Sequence, residues 1–227
     1  MRTIIVSDTH LTSVFRHRKC SFLRSIIEPA DQVILNGDFW DSYVTSFDRF
    51  VMSPWQELFP LLKARNAVYL YGNHDPKDAS DERVRMFSVT QTNTFVLTLP
   101  NFHFSSGNGE VSELVIQHGH RIVPHSDAWL PGWALNPLSA AAGSFSELLP
   151  FRLFGPRYFQ VFAHHNERMK AWAAANLTPN QILVTGHNHL AELDLAHRYI
   201  CTGFVRYGLA SYLKIEDGAL ELVTDRY

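Results

Sequence analysis

The chain contains five short apolar runs, and each run is followed within a few residues by side chains that commonly bind metals. The runs and the polar residues after them are Ile4–Val6 with Asp8 and His10, Val33–Leu35 with Asp38 and Asp41, Ala67–Tyr71 with Asn73, His74 and Asp75, Leu114–Ile116 with His118, and Ile182–Val184 with His187 and His189. Short apolar runs bounded by polar residues are typical of buried strands. In open α/β sheets, ligands bind outside the carboxyl ends of the strands. We therefore expect the five polar clusters to lie at such strand ends.

The first third of the chain alternates strands with helices. Strands are predicted at residues 2–7, 32–35 and 67–71, and helices at 19–28 and 47–64, the second interrupted near Pro54. This order implies parallel strands joined by right-handed crossovers. Later apolar runs are shorter and favour antiparallel or mixed strands, among them 95–99, 102–104, 113–117 and 204–215. The predicted fold class is α/β, with two sheets packed face to face as a sandwich and helices outside.

Residues 121–177 differ from the rest because they are rich in aromatic side chains and broken by prolines. The stretch is far longer than an ordinary connection between elements. Within it, residues 158–177 are predicted to form one long helix. This hydrophobic helical insertion either packs as core or lies as a cap over the active site. The chain as a whole, residues 1–227, has a length that suits one domain.

Composition limits the partners and the location of the protein. The formal net charge is −2 and the sequence pI is about 6.6, which argues against nucleic acid as a structural partner. The first predicted strand starts at Arg2, which leaves no room for a signal peptide, and no apolar run reaches the length of a membrane span. We expect a cytoplasmic protein with Cys20 and Cys201 as free thiols. A peripheral membrane contact through the insertion and the oligomeric state stay open.

Seven side chains at the predicted strand ends form a candidate ligand set. They are Asp8, His10, Asp38, Asn73, His118, His187 and His189. A set of nitrogen and oxygen donors without a thiolate suits Mn, Fe, Zn or Co. Seven donors are too many for one tetrahedral zinc, and they suit two metals that share a carboxylate.

The polar clusters carry motifs in a fixed order. These are Asp8-x-His10, Gly37-Asp38-x-x-Asp41, Gly72-Asn73-His74-Asp75, His118-Gly119-His120 and Gly186-His187-x-His189. Over residues 8–189 the chain thereby resembles the calcineurin-like metallophosphoesterase superfamily. The resemblance implies the four-layer αββα fold of that superfamily and a metal-dependent phosphoesterase that hydrolyses a phosphate ester or pyrophosphate bond.

The resemblance also implies a role for each motif residue. One metal would be bound by Asp8, His10, Asp38 and His189, and the other by Asp38, Asn73, His118 and His187. The ions would be two divalent metals, Mn²⁺ first, with Fe, Zn or Co as alternatives, and a hydroxide bridging them would attack phosphorus. His74 would act as the proton donor to the leaving group, and Asp41 would orient His74. Asp75 is interpreted as a structural acid.

A weaker resemblance concerns the substrate. An aromatic insertion before the last motif is similar to that of UDP-2,3-diacylglucosamine pyrophosphatases, which implies a lipid-linked diphosphate rather than a small phosphorylated molecule. This chain has His74 and His120 where those enzymes typically carry Arg and Asp. An alternative of another class is a non-catalytic metal-binding scaffold of the same fold. The basic run Arg16, Arg18 and Lys19 is interpreted as solvated, with contact to a substrate phosphate as the alternative.

Overall fold

The structure, a computed structural model, describes residues 1–99, 105–106, 109–124 and 147–227. Its strands are β1 (Arg2–Val6), β2 (Gln32–Asn36), β3 (Val68–Leu70), β4 (Thr90–Thr92), β5 (Phe95–Thr98), β6 (Ser105–Ser106), β7 (Gly109–Glu110), β8 (Glu113–Ile116), β9 (Gln181–Thr185), β10 (Glu192–Asp194), β11 (Tyr199–Cys201), β12 (Val205–Arg206), β13 (Leu209–Glu216) and β14 (Ala219–Arg226). Its helices are α1 (His17–Ile27), α2 (Phe47–Val51), α3 (Phe59–Ala64), α4 (residues 147–154) and α5 (Ala163–Asn176). Short 3₁₀ helices cover Pro54–Leu58, Lys77–Ala79, Glu82–Met86 and Gly155–Phe162.

Two mixed sheets form the centre of the molecule. The first has seven strands in the order β12-β13-β1-β2-β3-β4, with β14 paired to β13. Strands β1 to β3 are parallel neighbours, as the alternation of strands and helices predicted, and β4, which was not predicted, adds a fourth parallel strand. The second sheet has five strands in the order β10-β11-β9-β8-β5, and its inner three strands are parallel. Both sheets therefore have parallel strands whose carboxyl ends can present side chains.

The two sheets pack against each other and against helices on their outer faces. Side chains alternate between the two faces of a strand. In β1, Ile5 packs in the core between the sheets with Ile182 and Val184, whereas Ile4 packs with α1 and α3 on the outer face. On the outer face of the second sheet, Leu183 packs with Met169 of α5. The predicted two-sheet sandwich with flanking helices is confirmed.

Two predicted elements are wrong in detail. The long helix at 158–177 is instead a 3₁₀ helix, Gly155–Phe162, followed by α5. Aromatic residues three apart, such as Phe159 and Phe162, share one face in either helix type, so the pattern does not distinguish them. The run 204–215 is not one strand, because Tyr207 and Gly208 adopt φ of 57° and 81° and turn the chain between β12 and β13. Apolar residues lie on both sides of this two-residue turn, so the hydrophobicity of the run does not mark the break. The predicted strand 102–104 lies outside the described residues.

Two expectations drawn from composition can be compared with the structure. Cys20 and Cys201 are both buried free thiols, as predicted. Among the helices that the structure describes, none combines the length and apolar character needed to cross a membrane.

Candidate metal centre

The polar residues predicted as ligands follow the carboxyl ends of five parallel strands. Asp8 and His10 follow β1, Asp38 follows β2, Asn73 follows β3, His118 follows β8, and His187 and His189 follow β9. The two sheets thus contribute to one site. One oxygen of Asp38, Oδ2, lies 3.7 Å from His10 Nε2 and 3.2 Å from His118 Nε2. This is the position expected for a carboxylate shared by two cations.

Three groups of side chains place their donor atoms within 4.8 Å of one another. One contains Asp8, His10 and His189, and a second contains Asp38, His118 and His187. The third contains His10, Asp41 and His74. The first two groups correspond to the two halves of the predicted ligand set. The backbone N–H of His74, the residue after Asn73, donates to Asp38 Oδ1 at 2.9 Å, so the backbone at Asn73 lies next to the site.

The backbone is strained at this site. Five of the seven predicted ligands have a positive φ, namely Asp8 (53°), His10 (43°), Asp38 (52°), His187 (68°) and His189 (57°). A non-glycine residue in such a conformation costs on the order of 1–3 kcal/mol and persists only where its surroundings hold it. Strain concentrated at five residues from three strand ends indicates a functional site.

The motif glycines are required because atoms of the site approach their Cα positions closely. A Cβ atom on Gly72 would lie 2.1 Å from Asp38 Oδ1, and one on Gly186 would lie 2.4 Å from Asp8 Oδ2. At Gly37, a Cβ atom would lie 2.4 Å from His118 Cγ. Only glycine lets the backbone come so near to these side chains.

Hydrogen bonds fix the orientation of the candidate ligands. The carboxylate of Asp75 accepts from the backbone N–H of Asp38 at 2.9 Å, of Phe39 at 2.7 Å and of Gly72 at 2.7 Å. Asp75 therefore joins the loops after β2 and β3, which is the structural role predicted for it. His118 Nδ1 lies 2.8 Å from the carbonyl oxygen of Asn36. When Nδ1 donates to that carbonyl, Nε2 is directed at Asp38, an arrangement common in metal-binding histidines.

The pKa values of three candidate histidine ligands are shifted, that of His10 downward and those of His118 and His189 upward. Burial and the charges of Arg206 and His74 lower the pKa of His10 to about 4. Burial would likewise lower the pKa of His118, but Asp38 and Asp8 raise it to about 10. Burial is also outweighed at His189, where Glu147 and Asp8 raise the pKa to about 9. In the metal-free protein at neutral pH, His10 is therefore neutral and the other two histidines are protonated.

The donor set fits two cations. His10 Nε2 is buried and forms no hydrogen bond with any described residue, and the buried Asp8 Oδ1 and His118 Nε2 face other candidate ligands, His189 Nε2 at 3.3 Å and Asp38 Oδ2 at 3.2 Å. Buried polar atoms without a hydrogen bond are costly, and a bound cation would remove that cost. The donors are carboxylate oxygens and imidazole nitrogens, which suits Mn, Fe, Zn or Co.

His74 and Asp41 lie beside the ligand groups. Asp41 Oδ1 lies 3.2 Å from His74 Nδ1, and its Oδ2 lies 3.4 Å from His10 Nδ1. Burial would raise the pKa of Asp41, but hydrogen bonds with His10 and His74 hold it well below its usual range. The side chain of His74 is 25% exposed, compared with 3% for His10, so His74 faces the opening of the site. Its ring also packs 4.4 Å from that of Tyr43.

Several residues at the site were not identified from the sequence. Glu147, at the start of α4 in the insertion, places Oε1 2.8 Å from His189 Nδ1. Asn166 of α5 accepts a hydrogen bond from Asn188, the residue between His187 and His189. The described part of the insertion therefore contacts the last motif directly. No local signal in the sequence links these positions, which are 22 and 42 residues apart along the chain.

The interpretation of the basic run is wrong for Lys19. Its side chain is buried, and its Nζ donates to the carbonyl oxygen of Thr9, which lies between Asp8 and His10. Burial and the charges of Arg206 and Arg16 hold the pKa of Lys19 well below its usual value. Lys19 thus supports the first motif loop from within. Lys19 lies near the start of α1, on the buried face of the helix. The run of basic residues in the sequence does not indicate which of them faces inward.

Metal loading is expected to release protons. A metal ligand needs a free nitrogen lone pair, and His118 and His189 carry protons near neutrality because of their raised pKa values. At pH 7.5 about two protons should therefore leave per chain, and metal affinity should rise as the pH increases toward 9. Calorimetric titration of Mn²⁺ in buffers with different ionisation enthalpies measures this release. Heats that are the same in every buffer would contradict it.

The fold and these groups define a two-sheet αββα protein with a candidate binuclear metal centre. The chain belongs to the calcineurin-like phosphoesterase family, whose pattern matches residues 1–191. No curated protein matches the chain in sequence.

Among solved structures, the chain resembles Vps29 from Entamoeba histolytica in complex with Zn²⁺, with 14% identity, a TM-score of 0.50, and coverage of 100% of this chain and 99% of that one. It also resembles the phosphoesterase YfcE from E. coli, with 15% identity, a TM-score of 0.49, and coverage of 98% and 92%. At 14% identity, the likeness to Vps29 shows a shared fold and nothing more specific.

Proposed function

We propose that this protein is a binuclear metal-dependent enzyme that hydrolyses a phosphate ester or pyrophosphate bond. The observation that carries the proposal is the His74–Asp41 pair, at 3.2 Å, beside two groups of metal-binding side chains. A scaffold that only binds metal has no need of a partly exposed imidazole held by a buried carboxylate at this position. Family membership supports the same reaction class.

In this proposal, one set of side chains would bind the metals, and His74 with Asp41 would transfer a proton. When bound, two divalent ions activate water and neutralise charge on the phosphoryl group. Asp38 would hold both ions, and the remaining six ligands would hold one each. His74 would donate a proton to the leaving oxygen from its Nε2, because its Nδ1 faces Asp41. Asp41 would orient the ring and stabilise its protonated form.

Hydrolysis of chromogenic substrates tests this function. The protein loaded with Mn²⁺, and in parallel with Zn²⁺, Fe²⁺ or Co²⁺, is assayed on phosphate monoesters, phosphodiesters and nucleoside diphosphate esters. We expect turnover of at least one class that disappears after chelation and returns with metal. If the protein binds two metal equivalents but hydrolyses none of these classes, the non-catalytic scaffold is the better function.

A lipid-linked diphosphate is the second candidate substrate. Four large apolar side chains are exposed within residues 149–161: Leu149, Leu153, Phe154 and Val161, at 49%, 69%, 65% and 57%. Exposed Arg152 and Arg157 lie among them in sequence. Apolar side chains mixed with arginine favour contact with an anionic lipid surface or an acyl chain. Glu147, two residues before this stretch in the same helix α4, contacts the candidate metal centre.

The double variant Leu153→Ser, Phe154→Ser separates the two substrate classes. We expect it to raise KM about 10-fold for an acylated nucleoside diphosphate sugar and to leave hydrolysis of a water-soluble ester unchanged. Val96→Ser, an exposed apolar position on β5, is the matched control. Equal KM values for wild type and double variant on the acylated substrate would contradict lipid contact at this face.

A further inference from the structure

Arg206 places a positive charge next to the candidate metal centre. It follows Val205, whose backbone N–H donates to the carbonyl oxygen of Asp8 at 3.3 Å. Its Nη1 donates to Glu147 Oε2 at 2.9 Å, and the other oxygen of the same carboxylate lies 2.8 Å from His189 Nδ1. The side chain of Arg206 is 16% exposed. One carboxylate therefore joins the guanidinium to a predicted metal ligand.

Most of the hydrogen-bonding capacity of Arg206 is unused within the described residues. A guanidinium has five N–H groups. Only the one bond to Glu147 is formed with the part of the chain that the structure describes. One face of the guanidinium lies over the ring of Tyr207, 4.8 Å from its centroid. The planar group is thus fixed by stacking and by one hydrogen bond, and no described residue occupies its remaining N–H groups.

The positive charge of Arg206 interacts with the side chains predicted to bind the metals. After burial, Arg206 is the largest cause of the lowered pKa of His10. Burial would lower the pKa of Arg206 itself, but the carboxylates of Glu147, Asp41 and Asp8 contribute to raising it. The guanidinium is therefore close enough to interact with both sides of the site, the metal-ligand side and the His74–Asp41 side.

A structural role alone does not account for this arrangement. Glu147 is already held by the Tyr207 hydroxyl, which donates to Oε2 at 2.8 Å, and by His189. An arginine needed only to neutralise Glu147 would be expected to form a bidentate pair, which uses two parallel N–H groups. Arg206 uses one. A fixed guanidinium matches the geometry of carboxylate and phosphate oxygens, and in a phosphoesterase the anion that reaches the metal centre is a phosphoryl group.

We propose that Arg206, held in place by Glu147 and Tyr207, binds the non-bridging oxygens of the phosphoryl group of the substrate. The proposal rests on the proposed function, because it assigns a binding residue to the same reaction. It makes Arg206 a specificity residue for the phosphoryl group and Glu147 a positioning residue that sets the distance between Arg206 and His189.

Binding of inorganic phosphate to the Mn²⁺-loaded protein, freed of excess metal, tests the proposal by calorimetry. Arg206→Gln should bind phosphate about 10- to 100-fold more weakly than wild type, the scale of a lost hydrogen bond to a charged group. Arg206→Lys keeps the charge but not the planar fork, and should lie between the two. Both variants should retain two metal equivalents. Tyr207→Phe is the matched control, since it keeps the ring on which the guanidinium stacks and removes only another bond to the same Glu147 oxygen, and its phosphate affinity should change less than about 3-fold.

The outcomes separate the inference from the function. If both Arg206 variants bind phosphate like wild type, or if Tyr207→Phe weakens binding as much as Arg206→Gln, Arg206 is not a phosphoryl ligand and the proposal fails. Hydrolysis by the wild type is measured on the same samples. If phosphate binding depends on Arg206 but no ester is hydrolysed, the proposed function fails and the binding assignment stands.

Discussion

Replacement of Asp38 by alanine is expected to abolish binding of both metals and activity together. The Oδ2 atom of Asp38 faces His10 Nε2 at 3.7 Å and His118 Nε2 at 3.2 Å, one from each ligand group. Without this carboxylate, two cations would face each other with no shared anion between them. Bound metal should fall from two equivalents to fewer than one, and turnover should fall by more than about 100-fold, above the range for loss of an outer-shell partner. Elemental analysis after dialysis, followed by reloading trials, measures the metal.

The asparagine variant distinguishes loss of charge from loss of structure. Asp38 Oδ1 also accepts from the backbone N–H of His74 at 2.9 Å, so alanine removes a hydrogen bond as well as a ligand. Asp38→Asn retains an oxygen for that hydrogen bond but carries no charge. We expect it to lose metal as the alanine variant does while keeping a thermal unfolding transition closer to wild type. Asp48→Ala, at an exposed acid of α2, controls for net charge. Two retained equivalents in Asp38→Asn would disprove a bridging carboxylate.

Most of the candidate metal centre could be predicted from the sequence, because each strand and the polar residues after it are neighbours in the chain. A short apolar run such as Ile4–Val6 predicts a buried strand from its own residues. The end of that strand then places the polar residues that follow it. The parallel order of β1, β2 and β3 follows from the alternation of strands and helices. The ligand set could therefore be assembled from motifs, although the metal-binding roles themselves remain predictions.

Contacts between distant segments could not be predicted in this way. Glu147 reaches His189 only because α4 of the insertion folds back onto the second sheet. Lys19 lies in a run of basic residues, and its burial depends on the carbonyl of Thr9 that the first motif loop directs inward. In each case the deciding interaction joins segments whose proximity exists only in the folded chain.

Replacement of His74 by alanine is expected to leave both metals bound and to lower turnover by about 100-fold or more, the scale of a lost general acid. The loss should depend on the leaving group. A nitrophenolate leaves without a proton, so its release should slow little, whereas an alkoxide needs the proton and should be released much more slowly. Steady-state rates on a series of esters with leaving groups of increasing pKa measure this dependence. His197→Ala is the matched control, because His197 forms a similar pair with Asp194, at 2.8 Å, but is 67% exposed.

The metal content of the His74 variant decides between two roles for this side chain. His74, His10 and Asp41 form one of the three groups whose donor atoms lie close enough to bind a cation. If His74 were a ligand, His74→Ala would lose metal, and all substrates would slow by a similar factor. If it is the proton donor, metal content stays at two equivalents and the slowing grows with the pKa of the leaving group. Equal slowing of activated and unactivated esters with full metal content would contradict both roles and leave His74 a residue that positions Asp41. Asp41→Asn then provides the next comparison, since it keeps the shape of the side chain but removes the charge that holds His74 and His10.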